Sequence, residues 1–284
     1  MLDKIQTESP FDFSKHSTVG CGGFAKTAYY PKNEEEVLSL LRTLQGEWVA
    51  LGNLSNVLPS DKNTQKSVIC TKRLTDIREM VEGVFVSAGV TSGALLHYMK
   101  TSGYSGAEFF AGIPCTLGGM LYMNGGAGGR YVADIVKSVR IVRKGEVVNL
   151  SMEECAYSYK NSVFMGMEDF ILGATLRLEK SDGQSVEREI QRWLAKRVHL
   201  PKGKSMGCVF KNPQAVSAGA LIEGADLKGM RIGGAKVSEE HANFIINDQM
   251  ATAEDVRTLI QKIKDVVYEK YGVELEEEIR YIKE

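Results

Sequence analysis

The sequence predicts a mixed architecture of strands and helices, α+β or α/β. Two observations carry this. Short apolar runs of strand length alternate with amphipathic segments that begin at helix caps, and turn residues separate them along most of the chain. The 43% apolar and 25% charged fractions over 284 residues allow more than one packed core without disulfide staples.

The elements follow in order. Residues 26–30 form a short strand closed by Pro31, and Asn33 then caps a helix whose first turn is acidic (Glu34, Glu35, Glu36) and whose apolar face is Val37, Leu38, Leu40 and Leu41. Residues 48–51 are a strand that runs straight into the loop 52–56. Residues 68–70 and 84–88 are further strands, and 92–101 form a helix that stops at Gly103. A glycine-dense stretch covers 112–129. Residues 139–142 and 147–150 pair as a hairpin about Lys144-Gly145, and 170–178 form a long strand. Ser181-Asp182-Gly183 marks a turn, opens a charged helix to about Lys196, and is the expected domain boundary. Thr252-Ala-Glu-Asp255 is a capping box for a helix that ends at Tyr271, with Gly272 as its stop. Its buried face is Val256, Leu259, Ile260, Ile263, Val266 and Val267.

The bulk numbers exclude several functions. Net charge is −1 and no long basic run occurs, so nucleic acid has no electrostatic footprint. Residues 1–17 lack the apolar core of a signal peptide, and no stretch approaches the roughly 20 apolar residues of a membrane span. The five cysteines are scattered, with no Cys-x-x-Cys pair, which points to a reducing cytoplasm and away from a disulfide framework or structural zinc. The four histidines show no metal-ligand spacing, and His97 belongs to a helix surface or a satisfied core. There is no P-loop and no nucleophile elbow. Gly20-Cys-Gly22-Gly-Phe-Ala25 mimics a dinucleotide-binding glycine pattern, but a strand follows it where a helix is required.

What remains points to a ligand site. Gly52-Asn53-Leu54-Ser55-Asn56 follows a strand, and its small residues, amides and hydroxyl suit phosphate oxygens, although a plain turn would read the same way. The stretch Gly112-Ile113-Pro114-Cys115-Thr116, Gly118-Gly119, Asn124-Gly125 continues to Gly129. It holds seven glycines in eighteen residues, an ordering cost that suits backbone which must touch a ligand, the alternative being a flexible loop. Residues 207–247 mix Val209, Phe210, Phe244, Ile245 and Ile246 with Cys208, Lys211, Asn212, His241 and Asn243. That mixture suits an apolar pocket with a few placed polar groups. Cys208 is either a small core residue or a proton donor. A free thiol, with a pKa near ~8.5, stays largely protonated at neutral pH.

These motifs occur together in one order: Gly-x-x-Ser-Asn, Ala-Gly-Ile-Pro-x-Thr-x-Gly-Gly, Met-Asn-x-Gly-Ala, Tyr-x-x-Ser-x-Phe, Gly-x-Val-Phe-Lys-Asn-Pro, His-Ala-Asn-Phe and Leu-Glu-x-Glu. From about His16 to Ile282 the chain resembles the UDP-N-acetylenolpyruvoylglucosamine reductases (MurB). The short interval from Phe164 to Gly207 is similar to their second type, which lacks an inserted substrate-covering segment. The resemblance implies an α+β fold. A FAD-binding domain of the vanillyl-alcohol-oxidase (PCMH) type, residues 1–182, would comprise two α+β subdomains split near 75–85, and a smaller α+β substrate domain would cover 183–284.

The resemblance also implies a cytosolic enzyme with FAD and NADPH as cofactors. NADPH reduces the flavin, and UDP-N-acetylglucosamine enolpyruvate then takes a hydride at C3 and a proton at C2. The proton donor falls on Cys208, where the family usually has serine. The enolate-stabilising glutamate falls on Glu278, and the arginine on Lys160 in Tyr159-Lys160-Asn161-Ser162. The flavin phosphates fall on residues 52–56 and on Gly112, Ile113, Pro114, Thr116, Gly118, Gly119, Asn124 and Gly125. The nucleotide-sugar falls on Lys211 and Asn212; no metal and no membrane insertion are implied. Lysine keeps the charge at 160 but loses arginine's planar fork. Asn53-Leu54, Cys115 and Gly128, where the family often has tyrosine, are further departures. Two rivals stand beside this reading: a FAD-linked oxidoreductase of the same fold with another substrate, and a non-catalytic nucleotide-binding regulator.

Overall fold

In the computed structural model the described residues are 4–45, 47–213 and 216–284; the first three residues of the N-terminal segment lie outside them. By its contacts the chain forms two compact units, each discontinuous in sequence. The first comprises residues 1–8, 28–53 and 67–198, and the second residues 9–27, 54–66 and 199–284. The expected boundary lay at residue 182. The helix Gly183–Ala195 groups with the first unit, packing on the helix Ser92–Ser102, while two early segments group with the C-terminal region.

The first unit contains two sheets. One has the order Gln6–Glu8, Ala28–Tyr30, Ser67–Cys70, Trp48–Leu51; its outer pair is antiparallel and its other pairs are parallel. The helix Glu34–Leu44 covers it with Val37 and Leu40, and begins where Asn33 accepts the Glu36 N–H. The other sheet is antiparallel in the order Glu146–Ser151, Val136–Arg143, Phe170–Leu176, Gly83–Ser87, Ile77–Met80. Its hairpin turns through Lys144 (φ 50°) and Gly145 (φ 82°), as the sequence predicts. Phe109, Phe110, Leu121 and Val139 belong to the large core of this sheet and its helices.

The second unit is built on the antiparallel strands Ser205–Cys208, Phe244–Asn247, Ala235–Val237 and Arg231–Ile232, with the helices Ala218–Gly224 and Ala253–Tyr271. The long helix opens with a capping box: Thr252 accepts the Asp255 N–H and Asp255 the Thr252 N–H. It ends at left-handed Gly272. Arg280–Ile282 runs parallel to Val57–Pro59, joining the C-terminus to an early segment of the same unit. The glycine pattern at 20–25 is followed by the strand Ala28–Tyr30, not by the helix a dinucleotide-binding turn requires. Among the described residues no helix is long and apolar enough to cross a membrane.

Candidate active site

In the first unit the strand Trp48–Leu51 delivers Gly52 and Asn53 against the second glycine segment. Asn53 Nδ2 donates to the Pro114 carbonyl at 2.9 Å. A Cβ on Gly52 would lie 2.2 Å from Thr116 Oγ1, so only glycine permits this approach. Thr116 is 2% exposed and caps a short helix, Leu117–Met123, that the sequence reading took as part of a glycine-dense stretch. Two glycines weaken an isolated helix. Here Gly118 is held by its N–H to the Ala88 carbonyl at 2.8 Å and is crowded by Ala88, while exposed Gly119 has only Thr116 Oγ1 within 4 Å of an added Cβ. Segments 52–53 and 112–119 are glycine-rich and carry no carboxylate, so no fixed negative charge opposes a pyrophosphate and backbone can approach it closely; these residues fit FAD.

Asn124 and Gly125, expected there, also have contacts within the protein. The amide of Asn124 donates from Nδ2 to the Ser158 carbonyl at 2.8 Å and accepts the Ala133 N–H at 3.3 Å. Gly125 is buried, and a Cβ on it would meet Met120 Sδ at 2.6 Å, so a larger residue there would displace the end of that side chain. Of the loop 52–56, residues Leu54, Ser55 and Asn56 group with the second unit. Leu54 is buried in a left-handed conformation (φ 50°), its carbonyl accepting from Thr18, and the Asn56 amide donates to the Glu278 carbonyl at 3.2 Å. Ile113 and Pro114 complete a tight turn, with the Cys115 N–H on the Ile113 carbonyl at 2.9 Å. Burial pushes the Cys115 thiol up to about 12, which leaves it a small, protonated packing group. Lys160 is half-buried, with φ 51°.

The second unit brings Cys208, Lys211, Asn212 and Glu278 onto neighbouring backbone. Cys208 pairs with Phe244 across a bulged register, and Gly207 before it takes φ 76°. A bulge of this kind re-aims the side chain that follows. Beyond it the chain lies antiparallel to 276–278: the Glu278 N–H donates to the Val209 carbonyl and the Lys211 N–H to the Glu276 carbonyl, each at 2.8 Å. Residue 208 is thus next to the position that bonds Glu278. Glu277 is occupied by Lys264 at 3.0 Å and by the Tyr281 hydroxyl at 2.6 Å.

The Lys211 ammonium pairs with Glu276, and Asn212 Oδ1 accepts the Ala218 N–H at 3.0 Å at the start of the helix Ala218–Gly224. His241 and Asn243, whose polarity also suggested a ligand site, bond to backbone, as does Asn247. His241 Nδ1 accepts the Asn243 N–H at 3.2 Å, and Asn247 donates to the Val19 carbonyl at 2.9 Å. Sequence reasoning did not find the Glu276 partner of Lys211 or the Asn124–Ser158 link, for neither leaves a local pattern.

The fold and these loops define a flavin-binding oxidoreductase: residues 25–151 match the family described as a FAD binding domain. Residues 199–282 match the UDP-N-acetylenolpyruvoylglucosamine reductase C-terminal domain. The reductase of that name from Chlamydia abortus is 35% identical over 278 residues, covering 95% of this chain and 92% of that protein. That from Alkaliphilus oremlandii is 37% identical over 293 residues, covering 99% and 94%. The crystal structure of UDP-N-acetylenolpyruvylglucosamine reductase (MurB) from Thermus caldophilus superposes with a TM-score of 0.84 at 30% identity, over 99% of both chains. The chain belongs to the UDP-N-acetylenolpyruvoylglucosamine reductase family.

Proposed function

We infer that this chain reduces UDP-N-acetylglucosamine enolpyruvate to UDP-N-acetylmuramate, with FAD as resident cofactor and NADPH as electron donor, in peptidoglycan precursor synthesis. The observation that carries the reading is likeness to reductases of that name over nearly the whole length of both chains. Bound FAD supplies hydride chemistry between NADPH and C3 of the enolpyruvyl group.

The chain's own residues do the rest. The bare backbone of 52–53 and 112–119 holds the pyrophosphate, and Thr116 fixes the local helix start. The Cys208 thiol gives a proton to C2. A thiol is a stronger acid than the family's usual serine hydroxyl and has similar reach, so the substitution keeps the role. Glu278, held on the Val209 carbonyl beside Cys208, stabilises the enolate together with the Lys160 ammonium, which opposes charge developing on the substrate carboxylate. Lys211 and Asn212 take the nucleotide-sugar. We place the enzyme in the cytoplasm; its five cysteines are free thiols, four of them buried.

The test is NADPH oxidation by the purified yellow protein with and without that substrate. Consumption that depends on the sugar nucleotide is the expected result. A flavoprotein indifferent to it would overturn the substrate and leave an oxidoreductase of the same fold acting elsewhere.

A further inference from the structure

Lys160 takes a left-handed backbone conformation (φ 51°) that a lysine seldom adopts. Such strain persists only where the surroundings over-determine it. Lys160 is the third residue of a closed turn in which Ser158 and Asn161 exchange backbone hydrogen bonds at 3.1 and 3.2 Å, a position usually given to glycine or asparagine. Three contacts fasten this turn, and all come from the segment that follows the glycine cradle. Asn124 Nδ2 donates to the Ser158 carbonyl at 2.8 Å, and Ser162 Oγ donates to the Tyr122 carbonyl at 2.6 Å. The Tyr131 and Tyr159 rings meet edge to face with centroids 6.3 Å apart. Asn124 is 4% exposed, and its Oδ1 is anchored on the Ala133 N–H, so its donor has one direction.

We propose that Asn124 is a positioning residue for Lys160, tying the turn 158–161 to the helix Leu117–Met123 so that the ammonium stays where the substrate carboxylate requires it. The inference rests on the proposed function. It gives the Asn124 side chain to the substrate half of the reaction and not to the flavin. Ser162 supports the same turn from its far end. An unfastened turn would relax towards an ordinary backbone conformation and carry Lys160 with it.

Rapid mixing of the holoenzyme separates the two halves: NADPH first reduces the flavin, and UDP-N-acetylglucosamine enolpyruvate then reoxidises it under anaerobic conditions. Asn124→Asp keeps an acceptor for Ala133 and sets a carboxylate oxygen against the Ser158 carbonyl. The expected variant retains FAD and is reduced by NADPH at the wild-type rate, but is reoxidised about tenfold to a hundredfold more slowly, as misplacement of a reacting partner by an ångström would cause. Lys160→Met slows the same half, and the double variant is no slower than Lys160→Met alone. Ser162→Ala, which leaves Asn124 intact, is expected to slow only reoxidation and serves if Asn124→Asp does not fold.

FAD loss or slowed reduction by NADPH in Asn124→Asp would make Asn124 a flavin ligand and overturn the inference. Additive slowing in the double variant, unchanged reoxidation in the folded variants, or an inert Lys160→Met would overturn it equally. A wild type that the sugar nucleotide does not reoxidise would overturn the proposed function and this inference with it. Failure of the inference alone requires wild-type turnover.

Discussion

Asn243 brackets the backbone of Phe210 at both polar groups: Nδ2 donates to its carbonyl at 2.8 Å, and Oδ1 accepts its N–H at 2.9 Å. The Asn243 carbonyl takes the Val209 N–H at 2.9 Å. A carboxamide carries one donor side and one acceptor side, so it stands in for a strand neighbour where the register past Cys208 runs out. Phe210 is 1% exposed and Asn243 3%, so no solvent replaces a lost partner. Asn243→Ala leaves both Phe210 groups buried and unpaired, at roughly 1–3 kcal/mol each. The expected result is a large fall in the urea midpoint with an unchanged slope. A shift within about 0.5 kcal/mol, typical of a surface change, would refute the bracket.

Cys208 separates chemistry from packing. Cys208→Ser preserves a short protic side chain and is expected to keep substantial turnover. Cys208→Ala is expected to retain flavin and NADPH reduction but to slow reoxidation by substrate about 10²–10⁴-fold, the range for loss of a positioned acid. Rates for the two half-reactions decide it, and equal turnover in Cys208→Ala and the wild type removes the thiol from the mechanism.

Gly52→Ala tests the cradle. Its Cβ would lie 2.2 Å from Thr116 Oγ1, and Thr116 is both buried and the cap of Leu117–Met123, so it has little room to withdraw. The loops must part or the helix start must shift. Weaker FAD retention, read from flavin fluorescence on dilution, is the expected outcome. Gly52→Ala combined with Thr116→Ala should recover part of it, because the colliding hydroxyl is gone. Full FAD retention in Gly52→Ala would show that the two loops need not touch.

Local signals explain what could be read from the sequence. Asn33 with its acidic turn, Lys144-Gly145 between strands, and the Thr252–Asp255 box with Gly272 each act within one or two turns of backbone, and the elements they predict are present. The close-approaching segments 52–53 and 112–119 were legible for the same reason, as runs of small residues. The pairing of Val57–Pro59 with Arg280–Ile282 was not, since partners more than two hundred residues apart leave no periodicity in either segment. The helix Leu117–Met123 was hidden because its glycines read as loop, whereas a cap at Thr116 and close approach to Ala88 make them tolerable. Asn124 and Asn243 show the limit for side chains: sequence marks an amide as available but not what it bonds.

His241 gives stability a dependence on pH. Burial holds its imidazole below the ordinary value of 6.5, and its Nδ1 accepts the Asn243 N–H, which a protonated nitrogen cannot do. The unfolded chain therefore takes up this proton at a higher pH than the folded one. Stability from this residue is complete above about pH 6.5 and declines as pH falls below it, until the folded imidazole also protonates. His241→Gln should flatten the urea-midpoint profile below pH 6.5 relative to wild type. Parallel profiles would show that the imidazole titrates alike in both states.

Glu276 holds the Lys211 ammonium in an ion pair. The Lys211 side chain is 19% exposed and its ammonium is paired with Glu276, whose side chain is 73% exposed. An exposed carboxylate contributes little to stability, commonly within about 1 kcal/mol, because water and salt screen it. Under the proposed function, in which Lys211 takes the nucleotide-sugar, Glu276 would compete with that anion for the same cation. Glu276→Gln removes the competing charge and leaves the Lys211 N–H on the residue 276 carbonyl, a backbone contact that the substitution does not alter. KM for the sugar nucleotide should fall several-fold with kcat and thermal stability nearly unchanged, the pattern expected when ground state and transition state are bound more tightly by the same amount. The gain should shrink with added salt, since screening weakens the carboxylate's hold on Lys211 in the wild type. Lys211→Met should raise KM and abolish any difference between Glu and Gln at 276. A KM indifferent to both substitutions would place the nucleotide away from Lys211.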